Sequence, residues 1–233
     1  MINIAALSDI HGHIDNYDNV YPDIELVIIP GDLCSSDNLE DQKQEMPKVM
    51  EKIYSMFPNN QEVIVVPGNH DYLLERTYNI DMPWIYRKIL GYKTRLLVDE
   101  EYLYTSMLSG ETLLMYGNPR TNLGMAFPGM YRRKDISLIP SGLDILITHE
   151  APRDYNLPCV VAYKGKYGES EPGCQELMDQ VRKVKPRYHF FGHIHHNCEY
   201  QSPDTKFYNV SQCNGGFPEG KIKILEIRPE PNI

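Results

Sequence analysis

Five short polar clusters carry the residues able to do chemistry: Ser8-Asp9-Ile10-His11, Pro30-Gly31-Asp32, Pro67-Gly68-Asn69-His70-Asp71, Thr148-His149 and Gly192-His193-Ile194-His195. Their candidate ligands are Asp9, His11, Asp32, Asn69, His149, His193 and His195. Imidazoles, carboxylates and one amide, with no thiolate, form a donor set for Mn, Fe, Zn or similar divalent ions, not for a structural zinc cluster. Seven ligands are too many for one four- or five-coordinate ion. They suit two ions that share a carboxylate, and Asp32 in its tight Gly31-Asp32 turn is placed to bridge. Ions ~3.5–4 Å apart clamp an in-line displacement and generate hydroxide near neutral pH. Phosphoester hydrolysis by a metal-bridging hydroxide is the reaction such a site favours.

The elements that must position these groups are legible around them. Each cluster terminates a short β-rich run, at residues 3–7, 26–29, 63–66, 143–147 and 188–191. Met46, Val49, Met50, Ile53 and Met56 recur at helical spacing across residues 40–57, with Pro47 marking a late start or a kink. A second helix is expected over 175–184, with Leu177, Met178, Val181 and Val184 facing inward. Strand–helix–strand order implies a parallel core. Residues 94–116, 206–209 and 221–227 read instead as short antiparallel strands. The expectation is a layered α/β protein with a mixed sheet system, in which ligands bind beyond the carboxyl ends of the strands.

Composition narrows the function classes. The 233 residues include 23 Lys+Arg against 32 Asp+Glu, a net charge of −9, which argues against wholesale binding to nucleic-acid backbone or anionic membrane. No apolar run approaches the ~20 residues of a membrane-spanning helix. The start shows no basic region or cleavage site, so a cytoplasmic protein is expected. Five cysteines with no CxxC pair fit neither a disulfide framework nor a thiolate zinc site. Without repeats or a linker, one domain over 1–233 is expected.

In this order, and over most of the chain, the five blocks resemble the signature of the calcineurin-like metallophosphoesterases. The resemblance implies a four-layer α-β-β-α sandwich of two mixed β-sheets flanked by helices. It implies two divalent ions, manganese first, with Fe, Zn, Ni or Mg as alternatives. One would be held by Asp9, His11, Asp32 and His195, the other by Asp32, Asn69, His149 and His193. It also implies His70 as general acid near the leaving-group oxygen, with Asp71 as its orienting partner; a carboxylate beside an imidazole keeps it protonated.

Within the superfamily, Tyr116-Gly117-Asn118-Pro119, the stretch Ile147-Thr148-His149-Glu150-Ala151-Pro152 and the segment from Gly173-Cys174 to Gly192-His193 are similar to the metallophosphoesterase-domain-containing class of small phosphodiesterases. Glu150 and Ala151 depart from that class, which carries a small residue and a proline there. The protein Ser/Thr phosphatase branch expects Asp-Arg-Gly after its Gly-Asp block and Glu after Asn-His; Leu33-Cys34-Ser35-Ser36 and Asp71 set it aside.

Taken singly, each of these residues is more often a turn former, a cap or a satisfied polar group than a ligand; their joint order makes the case. Arg120 and His13 are candidate substrate contacts, as are Arg132 and Arg133, although surface side chains are the simpler reading of all four. Cys34 reads as a small buried apolar group. The expected partner is a small phosphorylated substrate, diester or monoester, a cyclic nucleotide among them, with no membrane, nucleic-acid or protein partner. Two other readings are a nuclease of the same superfamily, opposed by the charge, and a non-catalytic scaffold, opposed by the intact ligand positions.

Overall fold

The structure is a computed structural model that describes every residue except 16, 80–82, 122–135, 155, 168–171, 215–216, 219–220 and 230–233. Among the described residues two sheets lie face to face with helices outside them. The first sheet uses β1 (Ile2–Ala6), β2 (Leu26–Ile29), β3 (Glu62–Val65) and β4 (Thr94–Leu96). The second begins with β5 (Glu100–Thr105), β6 (Thr112–Asn118) and β7 (Ile145–Thr148), and continues with β8 (Tyr188–Phe191), β9 (Cys198–Gln201) and β10 (Lys206–Asn209). A two-stranded ribbon, β11 (Cys213–Asn214) and β12 (Phe217–Pro218), precedes β13 (Lys223–Ile227). Strand order is β13-β1-β2-β3-β4 in one sheet and β5-β6-β7-β8-β10-β9 in the other.

Alternation along the strands builds three apolar layers. Ile4, Ala6, Leu26, Ile28 and Ile64 point between the sheets and meet Met115, Ile145, Ile147 and Phe190. Ala5, Val27, Ile29, Val63 and Val65 point outward against helix α1 (Leu39–Met56). Leu146, Phe191 and Phe207 on the far face meet Leu177, Met178 and Val181 of α5 (Gln175–Val184) and Cys159 and Val160 of α4 (Pro158–Tyr167). Strands covered on both faces read as continuous apolar runs, which is why β2 is Leu-Val-Ile-Ile. The result is the α-β-β-α sandwich of two mixed sheets.

Helix α1 starts at Leu39, earlier than a Pro47 start would allow. The Asn38 side chain accepts from the Glu40 and Asp41 N–H groups at 2.8 and 3.4 Å and caps the first turn. Pro47 lies inside the helix, and Lys43, whose carbonyl it leaves free of an intrahelical partner, is exposed. Met46, Val49, Met50, Ile53 and Met56 are buried, each contributing roughly 1.5–3 kcal/mol.

The antiparallel expectation for residues 94–116 and the C-terminal strands holds only in part. β5 and β6 form a hairpin, β13 is antiparallel to β1, and β9 is antiparallel to β10. β4, however, is parallel to β3, β6 to β7, and β10 to β8. The cause at β4 is a helical crossover: α2 (Tyr72–Asn79) and α3 (Pro83–Leu90) return the chain before β4 enters. Among the described residues no helix is long and apolar enough to cross a membrane.

Candidate metal centre

The five polar clusters all follow strand carboxyl ends, after β1, β2, β3, β7 and β8. To fold back over these ends the chain adopts left-handed backbone at residues that are not glycine: Asp9 (φ 50°), His11 (φ 46°), Asp32 (φ 56°) and His193 (φ 65°). Such conformations cost of order 1–3 kcal/mol each and persist only where the surroundings over-determine them. Here they do. The Asp9 N–H donates to the Gly31 carbonyl at 3.0 Å, the His11 N–H to Asp32 at 3.1 Å, and the Gly192 N–H to His149 at 3.2 Å. Gly31 combines φ 86° with a position where a Cβ would strike the Gly68 backbone. A Cβ at Gly192 would collide with the Asp9 carboxylate and the Ser8 hydroxyl.

The structure brings the seven candidate ligands into one cluster. On one side, His11 Nε2 lies 3.1 Å from His195 Nε2, His195 Nε2 lies 3.3 Å from Asp9 Oδ1, and His11 Nε2 lies 3.9 Å from Asp32 Oδ2. On the other, His149 Nε2 lies 2.9 Å from Asn69 Oδ1 and 3.2 Å from Asp32 Oδ2, and His193 Nδ1 lies 2.9 Å from Asn69 Oδ1. Asp9, His11 and His195, and again Asp9, Asp32 and His149, offer ligand atoms within 4.8 Å of one another.

The donor chemistry fits a cation. His149 Nδ1 lies 2.7 Å from the Pro30 carbonyl, so it must donate there. In the neutral ring, Nε2 then carries a lone pair, yet it faces two further acceptors, Asn69 Oδ1 and Asp32 Oδ2. Convergent lone pairs in a buried place need a proton or a metal ion. Without an ion, burial opposes a charge on His149 but Asp32 and Asp9 prevail, and its pKa is pushed up to about 10. Burial would raise Asp9 too, but the His195 hydrogen bond and the His149 and His11 charges hold it well below the carboxylate range. Asp32 is likewise held low against burial, chiefly by His149. Burial lowers His11 and His193, keeping their imidazoles in the form that binds metal.

Around the ligands stands a polar shell. The Ser8 hydroxyl donates to Asp9 Oδ2 at 2.7 Å, and the His193 N–H donates to both Asp9 oxygens at 3.1 Å. The Thr148 hydroxyl donates to the Glu150 carbonyl at 2.7 Å. Its oxygen must then accept from His189 Nε2 at 2.9 Å, which leaves His189 Nδ1 unprotonated and without a partner. His189 thus braces the turn that carries His149.

His70 and Asp71 do not pair as expected. The Asp71 carboxylate faces inward and accepts from the Asp32, Leu33 and Gly68 N–H groups at 2.9, 3.0 and 2.8 Å. Neighbours in sequence point apart here: Asp71 is fully buried, whereas His70 is half-buried at the rim with its ring 5.2 Å from that of His11. The carboxylate at His70 is Asp37, with Oδ1 2.7 Å from Nδ1. Gln42, buried on α1, holds this corner together. Its amide donates to the Ser36 and His70 carbonyls, both at 2.6 Å, and accepts from the Leu73 N–H at 2.9 Å. The sequence reading missed Asp37, Gln42 and His189. The available signals were a glutamine on the otherwise apolar face of α1 and a histidine inside the apolar run of β8.

Of the candidate substrate contacts, Arg120 is engaged with Glu176 of α5 at 3.1 Å, and His13 is exposed beside the cluster's first turn. Arg132 and Arg133 lie outside the described residues. Cys34 is buried, and burial raises its thiol far above the ordinary value. Glu150 is buried next to His149, and its charge acts on His193.

A buried histidine–carboxylate cluster where two facing sheets end offers ligand atoms that could hold a metal ion. The calcineurin-like phosphoesterase family model matches residues 2–197, and the chain belongs to that family, whose members use divalent metals. It is by class a hydrolase acting on phosphoester bonds. A Caenorhabditis elegans UPF0046 protein is 27% identical over 224 residues, covering 92% of this chain and 71% of that protein. Human metallophosphoesterase domain-containing protein 1 is 28% identical over 190 residues, covering 72% of this chain. The chain spans 55% of that human protein's length. Among solved structures, the phosphopantetheinyl hydrolase of Mycobacterium tuberculosis superposes with TM-score 0.59 at 14% identity, covering 99% of this chain and 98% of that one. A Thermus thermophilus protein superposes with TM-score 0.52 at 12% identity, covering 97% of this chain and 99% of that one. These two likenesses speak for the fold.

Proposed function

We propose that the protein is a two-metal phosphoesterase acting on a small phosphodiester. The observation that carries this is the buried convergence of His149 Nε2, Asn69 Oδ1 and Asp32 Oδ2 beside a second group of Asp9, His11 and His195. Asp9, His11, Asp32 and His195 would hold one ion, and Asp32, Asn69, His149 and His193 the other, with manganese the first candidate. When bound, two ions supply Lewis-acid activation of water and of the phosphoryl oxygen for in-line displacement. His70 serves as proton donor to the leaving oxygen, with its Nδ1 fixed on Asp37 so that Nε2 is the donating atom. Asp71 keeps the Asp32 and Gly68 turns in place for that geometry.

The preference for a diester rests on charge. Glu150 adds a buried carboxylate beside His193, and an extra negative charge there disfavours a dianionic monoester relative to a monoanionic diester. The test is hydrolysis of bis-p-nitrophenyl phosphate against p-nitrophenyl phosphate by the Mn²⁺-reconstituted protein, with Asn69→Ala and His70→Ala as controls. Diester turnover that both substitutions abolish is expected. Preference for the monoester would overturn the diester assignment, and two bound ions without turnover of either ester would favour a scaffold.

A further inference from the structure

The turn that carries His193 and His195 lies beyond the end of β8. Within it the Ile194 N–H donates to the Gly192 carbonyl at 2.7 Å and the His196 N–H to the Ile194 carbonyl at 2.6 Å. The His193 N–H donates to the Asp9 carboxylate, itself a candidate ligand, so that hold passes through the cluster it serves. His193 reaches Asn69 on one side at 2.9 Å and His195 reaches Asp9 on the other at 3.3 Å. The peptide between them must be fixed for both groups of ligands to close.

A side chain from outside the ligand set fixes it. Asn209 ends β10 opposite Phe191 of β8 and is 1% exposed. Two residues after Phe207, it stands on the sheet face that α4 and α5 cover, where the pattern otherwise calls for an apolar residue. Its Nδ2 donates to the Ile194 carbonyl at 2.8 Å, and its Oδ1 accepts from the Ser211 N–H at 3.0 Å. Ser211 forms a parallel bridge with Ser8. The Ser8 N–H donates to the Val210 carbonyl at 2.9 Å, and the Gln212 N–H donates to the Ser8 carbonyl at 2.8 Å. Ser8 in turn holds Asp9, through its hydroxyl at 2.7 Å from Oδ2. One buried amide therefore ties the His193–His195 turn to the segment that carries Asp9, and both of its partners are main-chain atoms of residues outside the ligand set.

We propose that Asn209 is a positioning residue of the metal centre: its amide sets the His193–His195 turn against Asp9 in advance of metal binding, and so tunes the affinity of both proposed ions. The inference rests on the two-metal reading above. Outer partners that orient ligands in this way typically change metal affinity by about 10–100-fold when replaced. The side chain must offer a donor to one partner and an acceptor to the other, which a short amide does. Aspartate has nearly the same shape and keeps the acceptor for the Ser211 N–H, but it turns a lone pair toward the Ile194 carbonyl. Alanine removes both contacts.

The test compares the full-length parent with Asn209→Asp, Asn209→Ala and Gln180→Ala. Gln180 is the control, a buried amide of α5 that donates to the Ser137 and Ile139 carbonyls at 3.2 and 2.8 Å, so its loss removes hydrogen bonds of the same kind elsewhere. Two quantities are read: Mn²⁺ affinity by competition with a chelator, and amide hydrogen exchange over residues 193–196 in the metal-free proteins. Both Asn209 variants should bind Mn²⁺ about tenfold or more weakly than the parent and exchange faster over 193–196. Gln180→Ala should match the parent in both. Should the buried charge of Asn209→Asp prevent folding, Asn209→Ala carries the comparison alone. Parental affinity and exchange in the Asn209 variants, or an equal loss in Gln180→Ala, would overturn the positioning role. A parent that takes up no Mn²⁺ would instead overturn the two-metal reading, and exchange in the metal-free proteins would still decide whether Asn209 holds the turn.

Discussion

His70 and Asp71 are adjacent in the chain and do different work. The Asp71 carboxylate takes three backbone N–H groups from two turns that carry Asp32 and Gly68, whereas His70 finds its carboxylate in Asp37, thirty-three residues away in sequence. Two substitutions separate the roles. Asp37→Asn should retain the metal ions and the melting temperature of the parent while lowering kcat on the diester, by part of the ~10²–10⁴-fold that a positioned proton donor contributes. Asp71→Asn should lower thermal stability, because each charge-assisted hydrogen bond contributes roughly 1.5–3 kcal/mol. Equal kcat for Asp37→Asn and the parent would remove Asp37 from the mechanism. The identities of the ligand candidates were legible in the sequence because residue type and order carry them. The partner of His70 was not, since it depends on how the loop before α1 folds over the turn after β3, and only tertiary contacts such as those of Gln42 decide that.

At the level of elements, the strand ends do the positioning. Gly192 closes β8 against the Asp9 carboxylate and the Ser8 hydroxyl, and no side chain fits there. Gly192→Ala should displace Asp9 and weaken metal binding by the proposed Asp9, His11 and His195 group, with an overpacking penalty of about 1–3 kcal/mol. Urea unfolding and metal titration of the variant check both; retention of both ions at parental affinity would contradict this account of the turn. The apolar runs that become β2 and β8 and the periodicity of α1 and α5 were legible because burial on one or both faces writes them into residue type. The direction of β4 was not, because parallel pairing depends on the α2–α3 crossover, whose helices are short and follow directly on the Asp71 turn.

Among the described residues two facing sheets hold a charged centre at one end of an apolar sandwich, so folding and protonation are linked. His189 makes this measurable. Burial lowers its pKa from 6.5 to about 3, so the folded state keeps it neutral while the unfolded chain protonates it near 6.5. The folded protein is therefore favoured above pH 6.5 and loses several kcal/mol as pH falls from 6.5 toward 3, at about 1.4 kcal/mol per unit. His189→Gln should flatten this acid limb in urea unfolding series relative to the parent, and an unchanged slope would show that His189 does not set it.

The central proposal is that one cluster would hold two ions with Asp32 as the shared ligand, and counting ions tests it most directly. Metal analysis of the Mn²⁺-saturated protein after removal of free ions should give two per chain. Asn69→Ala and His11→Ala should each retain one, and Asp32→Asn should weaken both. A saturated parent that holds a single ion, or an Asp32→Asn variant that binds two as tightly as the parent, would contradict the account.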